Sequence, residues 1–334
     1  MAAHSQITKA VVDYLDPALR EAVEMLSEPV RTIVAYYYGW VDADGNPTEP
    51  VGVRRRPATV FLLLAGPDES SWGPVCGGAV GMTLMQGATI VHDDIQDHDE
   101  LRNGRPSVWA AFGVAPAIQA GVAMLALGLE LLASEPAPVA AEAVRRTARA
   151  ARHICSGQVL DSRAERNSGL DLAGSLLIKE SFAALPTAQI TAMAAVYRGA
   201  NSVDIDAAER FGYHLGMALA LYDDWEGAWG MSRVGLESDL SDLRRGRPCP
   251  YIAYALQTPG PARERIVAHY GQGPLGDQEI AELLGLIEAT GARSWLETEI
   301  ETHVDQVRQF LPVAAQDLVA RAELQLWVDA LVPR

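Results

Sequence analysis

The sequence predicts an all-α fold, and three observations carry the prediction. Apolar residues recur at helical rather than alternating spacing, as in 144–165 (VRRTARAARHICSGQVLDSRAE) and 205–225 (IDAAERFGYHLGMALALYDDW). Ala, Leu, Arg and Glu, which favour helices, dominate the chain. No series of short β-branched runs separated by tight-turn signals interrupts them. With 334 residues, 49% of them apolar, a sizeable core can be buried.

Taken in order, the start MAAHSQITKAVVDYLDPALREAVEML lacks the basic start, apolar middle and cleavage site of a signal peptide. The aromatic run Ala35 to Trp40 (AYYYGW) reads as helix packing or a dimer contact. Gly, Pro, Asn and Asp cluster at 40–52, 133–139, 166–174, 258–262 and 271–278, which predicts breaks between helices there. The most apolar run, 114–132, is interrupted by Pro116, Gln119 and Glu130, so a buried core helix is expected rather than a membrane span. None of the breaks resembles a long flexible linker, and residues 1–334 are expected to form a single domain.

A net charge of −16 argues against nucleic-acid binding and against attraction to anionic membranes. Cys76, Cys155 and Cys249 are far apart and unpatterned, which suggests neither a disulfide framework nor a zinc site; a cytoplasmic location is the simpler expectation.

Charge is concentrated in one place. Five acidic side chains fall in the eight positions from Asp93 to Glu100, directly after an apolar run. On a helix Asp93 and Asp97 share a face one turn apart, with Asp94 turned about 100° away. Like charges at that spacing destabilise a bare helix, and burying them unpaired costs more. They need a cation. Carboxylates without His or Cys in ligand spacing suit a hard ion, and Mg²⁺ fits because it keeps positions for water and phosphate oxygens. A solvated acidic helix end is the plainer alternative. A second pair, Asp223 and Asp224, also ends an apolar stretch, with DLRRGRP (242–248) shortly beyond. Two such pairs facing each other across a helical bundle would hold Mg²⁺, and the metal would let an acidic protein bind a diphosphate.

These residues resemble the trans-isoprenyl diphosphate synthases, or polyprenyl synthetases, over roughly residues 50 to 255. VHDDIQDHDELRNGRPSVW (91–109) is similar to the family's first aspartate-rich motif, and LYDDWEGAWG (221–230) followed by DLRRGRP to the second motif of its actinobacterial branch. VGVRRRP (51–57) resembles the Gly-Gly-Lys-Arg-x-Arg-Pro loop, and SGQVLDSRAE (156–165) the Gly-Gln-x-x-Asp helix. The resemblance implies an isoprenoid-synthase-type helical bundle around a deep apolar cavity, a homodimer, and three Mg²⁺ ions, with Mn²⁺ as a substitute. It makes Asp93, Asp94, Asp97 and Asp223 metal ligands, with Asp224 close by. Arg102, Lys179 and Arg247 match positions that hold an allylic diphosphate. Arg56 and Gln86 match isopentenyl diphosphate positions, Arg54 is the nearest loop cation, and Gln158 belongs to the Gly-Gln motif. Asp93, Asp94, Lys179 and Asp223 are thereby the candidate catalytic residues.

The departures bear on the reaction. Val53 stands where the loop carries Lys, and Asn103 where the first motif carries a second Arg; both missing cations belong to the isopentenyl diphosphate site. Leu219-Ala220 replaces Phe-Gln, Leu236 or Glu237 replaces a Lys, and Glu180 replaces the Thr after Lys179. A charge-assisted phosphate contact contributes roughly 1.5 to 3 kcal/mol, so each loss weakens that substrate by about an order of magnitude or more. Two enzyme readings follow. One is prenyl transfer from an allylic prenyl diphosphate, with isopentenyl diphosphate doubtful as the acceptor. The other is a terpene cyclase or lyase acting on one prenyl diphosphate alone. A non-catalytic scaffold fits the intact first motif poorly, and a His-Asp phosphohydrolase fails because adjacent helical residues point apart.

Tyr222, Trp225 and Trp229 read as core aromatics, with cation–π stabilisation of a carbocation as the alternative. His92 reads as a packed core histidine. Ala88 and Thr89, one turn before the first motif, are small and leave room for a substrate of around C15 to C20; Met82 and Met85, deeper still, would close the cavity adaptably.

Overall fold

The computed structural model describes residues 2–48, 56–166, 171–230, 243, 249–269 and 275–333. In chain order the elements are α1 (Ala2–Glu24), α2 (Val30–Tyr37), α3 (Arg56–Ala65), α4 (Glu69–Trp72), α5 (Cys76–Gln96), the two-residue strands β1 (Leu101–Arg102) and β2 (Arg105–Pro106), α6 (Val108–Phe112) and α7 (Val114–Ala133). There follow α8 (Val139–Arg166), α9 (Leu172–Lys179), a π-helical turn (Glu180–Ala184), α10 (Leu185–Tyr197) and α11 (Ser202–Trp229). Further helices span Pro250–Gln257, Pro261–His269, Asp277–Ala289, Ala292–Ala314 and Leu318–Asp329. The fold is all-α, as the periodicity requires, and the Gly/Pro clusters at 133–139 and 258–262, with the described parts of 40–52, 166–174 and 271–278, coincide with breaks between helices, while further breaks such as 66–68, 198–201 and 315–317 were not read from sequence. The short hairpin was not anticipated, although Asn103-Gly104 is the strongest two-residue hairpin signal.

Backbone contacts divide the chain into two compact units. The first comprises Met1–Arg152, Gln189–Glu209 and Leu311–Leu326; the second comprises His153–Ala188, Arg210–Phe310 and Trp327–Arg334.

In the first unit α5 is the central helix, with α7 packed along it and α1, α3 and α6 against its other sides. Its residues from Gly78 to Leu84 and on to Met85, Gly87 and Ala88 are buried, so the apolar half of the motif helix is anchored on nearly all sides. The approach of α5 and α7 is set by two glycines. A Cβ on Gly81 would lie 3.0 Å from the Gly128 carbonyl oxygen, and one on Gly128 would lie 2.7 Å from that of Gly81. Alanine at either position would push the helices apart.

The aromatic run after α2 packs within the unit. The Tyr38 ring stacks on Trp40 at 5.0 Å and its hydroxyl donates to the Thr83 carbonyl at 3.2 Å, while the Tyr36 hydroxyl donates to that of Pro106 at 2.7 Å. α7 departs from the expected core helix. One face is buried on α5, but Val114, Ile118 and Val122, spaced one turn apart, are 46%, 42% and 52% exposed. By length and composition both 69–96 and 114–133 are apolar enough to cross a membrane; the former is mostly buried inside the protein and the latter is not.

In the second unit Ile280, Leu283 and Ile287 of the helix Asp277–Ala289, and Leu296, Ile300, Val304 and Val307 of the helix Ala292–Ala314, recur every three or four residues and are all but fully buried. The helix Pro250–Gln257 packs on α9, which places Lys179 at the end of a supported helix and directly before the π-helical turn.

Candidate active site

The first aspartate segment lies where α5 ends. Asp97 is the C-cap and His98 takes a left-handed conformation (φ 55°). The Asp99 N–H bonds back to the Asp94 carbonyl at 2.9 Å, and the His98 N–H to that of Ile95 at 3.4 Å. This is a Schellman closure with His in the place usually taken by Gly. Asp93 and Asp97 therefore sit in the last turn, at the negative end of the helix dipole, where carboxylates are disfavoured and a cation is favoured. Both are half-buried, whereas Asp94, about 100° round the helix, is 1% exposed.

The hairpin supplies that buried charge with a partner. Asn103 and Gly104, both with positive φ (53° and 77°), turn the chain so that Arg102 pairs with Arg105 across the two strands. Arg102 then returns over the helix end. Its Nε donates to Asp94 Oδ1 at 2.7 Å, its Nη2 reaches the same oxygen, and Nη2 lies 3.6 Å from Asp99 Oδ2. Burial pushes the Asp94 carboxyl above its ordinary range, with Arg102 opposing that and the neighbouring Asp99 and Asp97 adding to it. Burial also works against the Arg102 charge, but its bond to Asp94 and the surrounding carboxylates outweigh this and raise its pKa. Arg105 is held elsewhere, 3.8 Å over the Tyr36 ring and 3.0 Å from the Val41 carbonyl oxygen that accepts from it. Asn103 is exposed at the hairpin tip.

The second segment lies on α11 in the other unit. Asp223 is exposed and Asp224 buried. Lys179 Nζ donates to Asp224 Oδ1 at 2.7 Å, from side chains 22% and 3% exposed respectively. Gln158, on α8 in the same unit, is 7% exposed and its Nε2 is buried with no hydrogen-bond partner. A buried amide donor in that state is poised for an acceptor oxygen. Glu180, which departs from the family pattern, accepts from the Tyr213 hydroxyl at 3.2 Å.

Of the remaining expected residues, Gln86 and Thr89 are half-buried on α5, where the Thr89 hydroxyl donates to the Gln86 carbonyl at 2.8 Å. Met85 and Ala88 are buried at 2% and 3% exposure. Ala220 is half-buried and Tyr222 buried, its ring 5.7 Å from that of Trp225. Trp225 donates to Glu297 Oε1 at 3.0 Å, and Trp229 packs on Tyr251 at 5.1 Å, so these aromatics have core partners. His92 packs against α7, its Nε2 3.2 Å from the Ile118 carbonyl oxygen. Val53, Arg54, Leu236, Glu237 and Arg247 lie outside the described residues, as does the side chain of Arg56.

The donor set fits Mg²⁺. The aspartates of each segment offer carboxylate oxygens, the donors a hard ion takes, while His92 is turned to the Ile118 carbonyl; Asp94 Oδ2 is buried without a hydrogen-bond partner. Sequence reasoning missed Ser107, whose side chain is buried beside this segment, and the Tyr36–Arg105 contact that fixes the hairpin. The Asn-Gly dipeptide was the available signal for the hairpin; nothing local marked Ser107.

Comparison with known proteins gives a concordant result. Residues 46–287 match the polyprenyl synthetase family model, a span that includes both aspartate segments. The chain is 34% identical over 301 residues to the (2E,6E)-farnesyl diphosphate synthase of Mycobacterium tuberculosis, covering 88% of this chain and 83% of that one. The crystal structure of a polyprenyl synthetase from Streptomyces coelicolor is similar with a TM-score of 0.89 at 28% identity, over 98% of this chain and 99% of that one. A geranylgeranyl pyrophosphate synthase from Corynebacterium glutamicum, complexed with isoprenyl diphosphate and magnesium, shares the fold with a TM-score of 0.79 at 23% identity, over 99% and 98% of the two chains. Two aspartate segments, each with a buried carboxylate paired to a cation, on an all-α scaffold matched over nearly its whole length, place this chain in the polyprenyl synthetase family, the trans-isoprenyl diphosphate synthases.

Proposed function

We propose that this chain is a Mg²⁺-dependent prenyltransferase that ionises an allylic prenyl diphosphate of about C15 to C20 and transfers its prenyl group to isopentenyl diphosphate, held more weakly than the family pattern provides. The observation that carries the reading is the pairing of the buried aspartate of each segment with a cation, Asp94 with Arg102 and Asp224 with Lys179. Asp93, Asp94, Asp97 and Asp223 would hold the metal, three ions in all by family resemblance, with Asp224 adjacent. When bound, Mg²⁺ supplies positive charge to the leaving diphosphate.

The chain's own residues do the rest. Arg102 and Lys179 hold Asp94 and Asp224 in place and add positive charge beside the departing diphosphate. Gln158 Nε2 offers a donor to an acceptor oxygen. Met82, Met85 and Ala88 are buried apolar groups one to three turns below Asp93, and such groups exclude the water that would quench a carbocation. The relatives are elongating diphosphate synthases, which favours transfer over cyclisation. Weak use of isopentenyl diphosphate is supported by the uncharged Asn103 and by Arg105, engaged with Tyr36 and Val41.

Incubation with Mg²⁺ and geranyl, farnesyl or geranylgeranyl diphosphate, each with and without isopentenyl diphosphate, tests the reading. A longer prenyl diphosphate is expected only when both substrates are present. A hydrocarbon or alcohol formed from the allylic substrate alone would refute it.

The exposed stripe Val114, Ile118, Val122 on α7 supports a homodimer, since an apolar helix face of this kind is otherwise left in water. Ile118→Glu with Val122→Glu should convert a dimer to a monomer in light scattering; an unchanged mass would exclude this face. A cytoplasmic location is part of the same reading, supported by cysteines that are far apart and unpatterned along the chain.

A further inference from the structure

Ser107 occupies the N-cap of α6 with the extended backbone of that position (φ −64°, ψ 166°), yet its hydroxyl caps nothing. An N-cap serine ordinarily accepts a hydrogen bond from an N–H two or three residues on. Here the residue is 2% exposed and Oγ has no hydrogen-bond partner. The same holds for Oδ2 of Asp94. Both residues line one small cavity of about 20 Å³, together with Tyr36, Arg102 and Arg105. Space of that size takes a water molecule. Three neighbouring polar side chains are already engaged: Arg102 with Asp94 Oδ1, Arg105 with the Val41 carbonyl and the Tyr36 ring, and the Tyr36 hydroxyl with the Pro106 carbonyl.

We propose that the cavity holds one ordered water that accepts from the Ser107 hydroxyl and donates to Asp94 Oδ2, making Ser107 a positioning residue for the first aspartate segment. Arg102 grips only Oδ1 and leaves the carboxylate able to pivot. A bridge to Oδ2 fixes both oxygens, and with them the end of α5 from which Asp93 and Asp97 project. Groups behind metal-binding carboxylates act in this way, orienting the ligands without touching the ion. The inference rests on the reading of these aspartates as Mg²⁺ ligands.

Two measurements test it. A high-resolution crystal structure of the metal-free protein should show one water within hydrogen-bond distance of Ser107 Oγ and Asp94 Oδ2. A dry cavity, a direct Ser107–Asp94 bond, or a hydroxyl turned to cap α6 would overturn the proposal. Thermal melting against MgCl₂ should show Mg²⁺ stabilising the wild type, with apparent affinity about tenfold weaker in Ser107→Ala and near wild type in Ser107→Thr. If Ser107→Ala melts lower by the same amount at every Mg²⁺ concentration, the hydroxyl is merely structural and the proposal fails. If the wild type does not respond to Mg²⁺, the metal reading fails and the role of Ser107 in metal binding with it; the crystallographic water still decides the bridge.

Discussion

The two aspartate segments solve one electrostatic problem by different means. Each places two adjacent aspartates on a helix, one buried and one more open to solvent, and each gives the buried member a cation. In the first the cation is local. Arg102 lies eight residues after Asp94 and returns through an Asn-Gly turn, so its fork grips a carboxylate only 1% exposed. In the second it comes from another helix. Lys179 precedes Asp224 by 45 residues and makes a single 2.7 Å contact. A carboxylate buried beside one ammonium depends on the packing of two helices, whereas one gripped by a neighbouring hairpin depends mainly on a turn. The comparison teaches that the same site chemistry can rest on a short-range or a long-range device, and the two should fail differently.

The largest expected effect falls on both segments alike. Asp93→Ala and Asp223→Ala should each reduce diphosphate release from an allylic substrate by on the order of 10³-fold, with melting temperature little changed. Near-normal Mg²⁺-dependent turnover in both variants would break the equivalence of the segments as metal sites.

Removing the cations should separate them. Lys179→Met leaves Asp224 buried without its ammonium and should cost about 3 kcal/mol in denaturant unfolding. Arg102→Met acts on a pair whose cation is 36% exposed, so solvent screens more of the loss and about 2 kcal/mol is expected. Equal losses would show that local and long-range supports carry the same load.

The smallest effect sharpens the first segment alone. Asn103→Arg restores a positive charge to the hairpin tip and should lower the KM for isopentenyl diphosphate by about tenfold. It should also cost about 1 kcal/mol, because Asn tolerates the left-handed backbone there better than Arg does. An unchanged KM would show that Asn103 does not limit that substrate.

How far each segment could be read in advance follows from the same distinction. The all-α class, the helix breaks and the acidic end of α5 are short-range properties, set by a 3.6-residue period, by Gly and Pro, and by charge density. Asn103-Gly104 was equally local but went unread, because two strands of two residues each are too short to show alternation. The apolar face of α7 was misjudged as buried, since hydropathy reports which residues are apolar and not what covers them. Arg102 and Lys179 were identified through family motifs as diphosphate-binding residues; that both are bonded to aspartates became visible only in the fold.

The sequence by itself determined that this chain is helical, acidic and equipped with two aspartate pairs in a polyprenyl synthetase pattern. Only the tertiary structure decided that Asp94 rather than Asp93 is buried under Arg102, that Lys179 meets Asp224, and that the Ser107 hydroxyl is buried without capping its helix. The physical reason is range. Backbone propensity and periodicity act over a few residues and are written in order along the chain, while desolvation and hydrogen-bond satisfaction depend on groups brought together from distant positions.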